Sequence, residues 1–114
     1  MKISSVLIID DEMDFCLLLE SFFKRKCAHV NYALTLKDGL VKFNELNPDL
    51  LILDHNLPDG FGIESISTFK NANSALFVIF ISAMSNLKSI ALENGADLFM
   101  EKPISFSKLS KLIT

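Results

Sequence analysis

Three stretches of this chain, VLII (6–9), LLIL (50–53) and LFVIFI (76–81), are apolar at every position rather than at every second one. A strand with one wet face alternates. A strand that is apolar throughout is buried on both faces, as parallel strands between two helical layers are. Two shorter runs, Val30–Ala33 and Leu98–Met100, complete a set of five. Between them lie segments with helical periodicity. Phe15, Leu18, Leu19, Phe22 and Phe23 form one stripe, and Leu36, Leu40 and Phe43 a second. Ile63, Ile66 and Phe69 make a third, Leu87, Ile90 and Ala91 a fourth, and Phe106, Leu109, Leu112 and Ile113 a fifth. Breakers separate the units: Asn47-Pro48, Pro58-Asp59-Gly60, Asn94-Gly95 and Lys102-Pro103. Strict alternation of this kind predicts right-handed crossovers and a three-layer α/β sandwich.

The 114 residues suit a single domain spanning 1–114, and a chain that is 50% hydrophobic can fill its core. The formal net charge of −3 argues against direct nucleic-acid binding, which calls for a clustered basic face. Lys24, Arg25 and Lys26 are read as the last turn of a helix, where cations complement the dipole. Two cysteines, Cys16 and Cys27, without a secretory signature point to a reducing compartment rather than a disulfide framework. No apolar stretch reaches the roughly 18 residues of a membrane span. A soluble cytoplasmic protein with no membrane contact is expected. The last helix, stopping at Thr114, is short, and whether the chain continues past it is left open.

In an open parallel α/β sheet, ligands bind at the carboxyl ends of the strands. The first run ends in Asp10-Asp11-Glu12, the third in Asp54 and the fourth in Ser82-Ala83, and the fifth leads to Lys102-Pro103. Each has an ordinary structural role when taken singly: acids at a helix start, a serine N-cap, a solvated lysine. Together Asp10, Asp11 and Asp54 place three carboxylates beside a hydroxyl and an ammonium on one edge. Crowded carboxylates repel, and a hard cation such as Mg²⁺, which takes oxygen ligands and phosphate oxygens, removes the conflict.

The segments VLIIDDE, LLILDHNLPDGFG, VIFISAM and GADLFMEKP resemble those of the response-regulator receiver domains of two-component signalling, in order and over essentially the whole chain. The resemblance implies a flavodoxin-like doubly wound (βα)5 fold, with a five-stranded parallel sheet in the order 2-1-3-4-5. It implies that Asp54 is the phosphoacceptor. Asp11 is then a direct Mg²⁺ ligand, Asp10 acts largely through water, Asp54 joins the metal set, and Asn56 contributes its main-chain carbonyl. Ser82 and the Ala83 amide meet the phosphoryl group, and Lys102 pairs with its oxygens. Phe99, with Ser82, is the switch position, Pro58 and Gly62 belong to the loop after the acceptor, and the Lys102–Pro103 peptide is cis. Met84 is placed at the mouth of the site. Ser82 stands where Thr is commoner and Phe99 where Tyr is commoner.

The partner implied is a histidine kinase or histidine phosphotransfer protein, with an output domain or effector downstream. A phosphorylation-dependent homodimer through helix 4, strand 5 and helix 5 is left open, though no complementary Arg/Asp ladder is evident there. Neither histidine reads as a phosphodonor. His29 begins a strand, and His55 turns to the opposite side of the backbone from Asp54. Two other classes compete. A haloacid-dehalogenase-type phosphatase needs a D-x-D nucleophile motif and a larger chain, and a pseudo-receiver scaffold needs none of the acidic set.

Overall fold

The five apolar runs become the five strands of one parallel sheet. The computed structural model describes residues 2–26 and 29–113, so Cys27 and Thr114 lie outside the described residues. The strands are β1 (Ser5–Ile9), β2 (His29–Ala33), β3 (Leu50–Asp54), β4 (Phe77–Ser82) and β5 (Leu98–Glu101), in the order β2-β1-β3-β4-β5. The helices are α1 (Met13–Lys24), α2 (Leu36–Leu46), α3 (Ile66–Ala72), α4 (Lys88–Glu93) and α5 (Phe106–Ile113). A two-residue hairpin, Asn56–Leu57 against Gly60–Phe61, follows β3. Fold class and strand order are those expected.

Alternate residues of each run serve opposite layers. Leu7, Ile9, Leu51, Leu53, Val78 and Phe80 pack with Phe43 of α2, Ile66 and Phe69 of α3, and Ala91 of α4. Val6, Ile8, Leu50, Ile52, Ile79 and Ile81 pack with Cys16, Leu19, Phe22 and Phe23 of α1 and Leu109 of α5. Each fully buried Leu, Ile or Phe contributes about 1.5–3 kcal/mol, which is why the central strands carry polar residues only at their first or last position.

The strands run one residue further than the apolar signal. Asp54 pairs with Ile81, and Ser82 with Glu101. A backbone ladder does not depend on side-chain polarity, so these polar residues at the C-terminal edge join the same ladder as the core residues.

The helical stripes are also narrower than the periodicity predicts. Leu18 is 59% exposed, while Cys16 is fully buried and takes its place at the centre of the α1 face. Leu40 and Ile90 likewise face outward. In α2 the contact residue is Gly39, where an added Cβ would stand 2.4 Å from Ile9 Cδ1. The helix lies so close to β1 that there is no room for a leucine on that line.

Side chains from distant segments complete the loops. Asp59 accepts the Leu36 and Lys37 N–H groups at 2.8 and 2.9 Å, capping α2 beside Thr35, whose Oγ1 accepts the Asp38 N–H. The Pro58-Asp59-Gly60 turn is therefore both a breaker and a cap for another element.

Candidate active site

The parallel topology brings the C-terminal ends of β1, β3, β4 and β5 to one edge, and with them the residues singled out above. Asp10 follows β1 and is fully buried. Its Oδ1 accepts the Glu12 N–H at 2.9 Å, and its Oδ2 accepts from the Lys102 ammonium at 2.9 Å. Lys102 also donates to Glu12 Oε1 at 3.2 Å and stands 3.3 Å from Asp54 Oδ1. Among the described residues it is the one cation paired with these three acids. The loop that delivers it begins with a cis Lys102–Pro103 peptide, as expected, and the Lys102 N–H donates to the Ser82 carbonyl at 2.9 Å.

Burial dominates the electrostatics. It lifts the Asp54 carboxyl to about 6, with the neighbouring Asp10 charge adding to the rise and Lys102 opposing it. The Asp10 carboxyl is raised by the same desolvation, against the Glu12 N–H and Lys102. Lys102 is held above its ordinary value because its carboxylate partners outweigh burial. Beneath the site, the Cys16 thiol donates to the Asp10 carbonyl at 3.3 Å, and burial pushes it up to about 12, so it is an unreactive core thiol.

One carboxylate oxygen each from Asp10, Asp11 and Glu12 lies within 4.8 Å of the others, and Asp11 and Glu12 are exposed. An all-oxygen, anionic donor set with an open side suits a hard divalent cation. The Lys102 ammonium, in contact with Asp10, Glu12 and Asp54, links the acceptor to this group. Asn56 is exposed at the start of the hairpin.

Ser82 is 2% exposed, and its Oγ accepts the Met84 N–H at 3.0 Å, closing the turn out of β4. The structure thus brings Ser82 to the same edge, joined to Lys102 through the backbone. Ala83 and Met84 follow it on the surface. Phe99 is half-buried and packs on Phe80, ring centroids 6.3 Å apart. His55 lies on the far side of β3, as expected, stacked on Phe61 at 5.0 Å and edge-on to Phe80 at 5.8 Å. His29 is an exposed first residue of the edge strand.

Gly62 touches the acceptor strand most closely. A Cβ there would sit 2.0 Å from the Asp54 carbonyl oxygen and 3.0 Å from its carbon. The obstacle is backbone and cannot rotate aside. Gly62→Ala is expected to lose about 1–3 kcal/mol of stability and to displace Asp54. Denaturant unfolding checks this, and a midpoint equal to wild type would contradict it.

Sequence reasoning missed two neighbours of Lys102. Glu12 was visible only as the third acid of the run, and Phe15, whose ring lies 4.9 Å from Nζ, only as a core-stripe residue.

A doubly wound parallel sheet thus carries this acidic edge and its facing lysine at the strand C-termini. The family model of the response regulator receiver domain matches residues 6–114, and the chain belongs to that family. It is 39% identical over 108 residues to the KDP operon transcriptional regulatory protein KdpE of Escherichia coli, covering 93% of this chain and 48% of that protein. It is 36% identical over 103 residues to the uncharacterized transcriptional regulatory protein YvcP of Bacillus subtilis, covering 86% and 42%. The chain thus spans about half the length of these relatives, or less. Among solved structures, the beryllofluoride-activated NtrC4 receiver domain dimer is similar with a TM-score of 0.86 and 29% identity, covering 94% of this chain and 90% of that one. The signal receiver domain of a DNA-binding response regulator from Colwellia psychrerythraea has a TM-score of 0.89 at 23% identity, covering 96% and 94%, a likeness of fold. No helix of the described residues is long and apolar enough to cross a membrane.

Proposed function

We propose that this receiver domain takes a phosphoryl group from the phosphohistidine of a histidine kinase or histidine phosphotransfer protein onto Asp54. The observation that carries the reading is the Lys102 ammonium, 3.3 Å from an Asp54 carboxylate that is itself almost fully buried among other acids. An Asp54 oxygen attacks the phosphorus, a P–O bond forms as the donor P–N bond breaks, and the imidazole leaves with the bonding pair. Positioning and charge neutralisation do most of the work in such transfers. Lys102 holds a phosphoryl oxygen, and Ser82 and the Ala83 amide offer hydrogen bonds to the others. Asp10, Asp11, Asp54 and the Asn56 carbonyl are the residues that would hold Mg²⁺. Bound there, the ion supplies positive charge to the phosphoryl oxygens.

The domain is not an enzyme acting on a separate substrate, since the acceptor is its own side chain, and it catalyses its own phosphorylation and dephosphorylation. The modified state is read out through Ser82 and Phe99, whose packing on Phe80 links the strand end to β5. That output reaches a partner or an output domain, as the transcriptional regulators among its relatives suggest, and the setting is cytoplasmic. The receiver itself, with net charge −3, makes no direct nucleic-acid contact.

Incubation with a small phosphodonor and Mg²⁺ should add one acid-stable, base-labile phosphate by intact mass. An unmodified protein would refute the reading. Mg²⁺ should also stabilise the fold by mass action. At ten times its dissociation constant the gain is about 1.4 kcal/mol, or a rise of about 4–8 °C. Asp11→Ala should abolish most of that shift, because Asp11 is exposed and Asp10 is committed to Lys102 and the Glu12 N–H. Equal shifts in Asp11→Ala and wild type would contradict the assignment.

A further inference from the structure

Lys102 has a neighbour that the carboxylate chemistry does not require. Its Nζ lies 4.9 Å from the centroid of the Phe15 ring, while Asp10, Glu12 and Asp54 stand at 2.9, 3.2 and 3.3 Å. Phe15 sits in the first turn of α1, half-buried at the margin of the core. Its helix neighbours Cys16 and Leu19, both fully buried, already fill the layer between α1 and the sheet. We propose that Phe15 is a positioning residue for Lys102, its ring face keeping the ammonium at the acceptor when the carboxylates change partners. The inference rests on the reading of Asp54 as phosphoacceptor.

The three acids hold Lys102 in the unmodified domain, but they cannot all hold it through the transfer. Once Asp54 carries the phosphoryl group, its attacking oxygen is an acyl-phosphate bridging oxygen and no longer a full anion. Asp10 belongs to the set proposed for the cation. Glu12 is 66% exposed at its side chain, so solvent screens its pull. A lysine head is a strongly hydrated point charge on a four-carbon stem, and with those contacts weakened it is free to turn to water. An aromatic face holds a cation by its quadrupole and consumes none of its N–H donors. The three donors stay available for phosphoryl oxygens while the ring limits where the ammonium can go. An aliphatic side chain of similar bulk packs against the lysine stem but exerts no such attraction on its charge.

The test compares wild type, Phe15→Leu, Phe15→Tyr and Phe15→Trp. Adduct formation with a small phosphodonor and Mg²⁺ is followed by intact mass, and the Lys102 ε-methylene resonances by NMR on lysine-labelled protein without donor. Phe15→Leu should form the adduct about fivefold more slowly at an unchanged Mg²⁺ midpoint. Its Lys102 ε-protons should move downfield as the ring current is lost. Phe15→Tyr and Phe15→Trp, which keep a π face, should restore both rate and upfield shift. A modified wild type with Phe15→Leu reacting at the same rate would overturn the role alone. So would a slow Phe15→Leu that neither aromatic variant rescues, since the loss would then belong to packing. A wild type that takes no phosphate would overturn the acceptor reading and this role together.

Discussion

Replacing Asp54 with Asn should remove the phosphate adduct entirely and, in the same protein, raise stability at neutral pH. The two effects have one cause. A carboxylate lifted from 3.8 to about 6 is one whose charge the fold disfavours even with Lys102 beside it. Asn keeps the shape and polarity, removes the charge, and removes the nucleophilic oxygen. The gain at pH 7 without metal should be about 1–2 kcal/mol, smaller than the full shift implies because the site opens to solvent on one side. The sign fixes the pH profile. Between the unfolded value of 3.8 and about 6, the folded state binds more protons than the unfolded one, so metal-free stability falls as pH rises through that window. Asp10, raised in the same direction, adds to the slope. In Asp54→Asn the slope should flatten. Chemical denaturation from pH 4 to 7 with EDTA checks it. An adduct that persists in Asp54→Asn would remove the acceptor assignment, and a less stable Asp54→Asn at pH 7 would remove the electrostatic account.

Lys102→Met should have the opposite effect on stability and a larger one. Methionine keeps much of the stem but leaves Asp10, fully buried, without its ion-pair partner. Removing one member of a buried pair typically costs about 3–5 kcal/mol, a large share of the 5–15 kcal/mol that holds an ordinary domain folded. The loss should be greatest at neutral pH. It should shrink on acidification, as Asp10 and Asp54 take up protons, and shrink on adding Mg²⁺. Adduct formation should fall about a hundredfold, the scale of removing one preorganised donor from a developing negative charge. Thermal melts at pH 5 and pH 7, with and without Mg²⁺, separate this from simple loss of packing. A pH-independent destabilisation would sink the charge argument.

How much of this was legible in the chain follows from what each signal depends on. Runs apolar at every position have one economical solution, a strand covered on both faces, so β1, β3 and β4 were readable from local composition. The breakers placed the loops for the same reason. Residues at the ends of those runs then converge because parallel strands share one C-terminal edge, and this topology alone places Asp10, Asp54, Ser82 and Lys102 together.

What was not legible depends on distances between segments far apart in sequence. Periodicity cannot say that α2 approaches β1 closely enough to require Gly39 over Ile9, so Leu40 was read as core and is exposed. It cannot say that Asp59 caps α2 across more than twenty residues. Nor can it choose among the four acids of the edge. Only the fold shows that Asp10 is buried against Lys102 while Asp11 lies open to solvent. The residue types, their order and the edge they share came from local hydrophobic pattern. Which carboxylate holds the lysine, and which aromatic ring lies over it, was set by packing between α1, β3 and the loop after β5, where burial rather than sequence neighbourhood decides the partners.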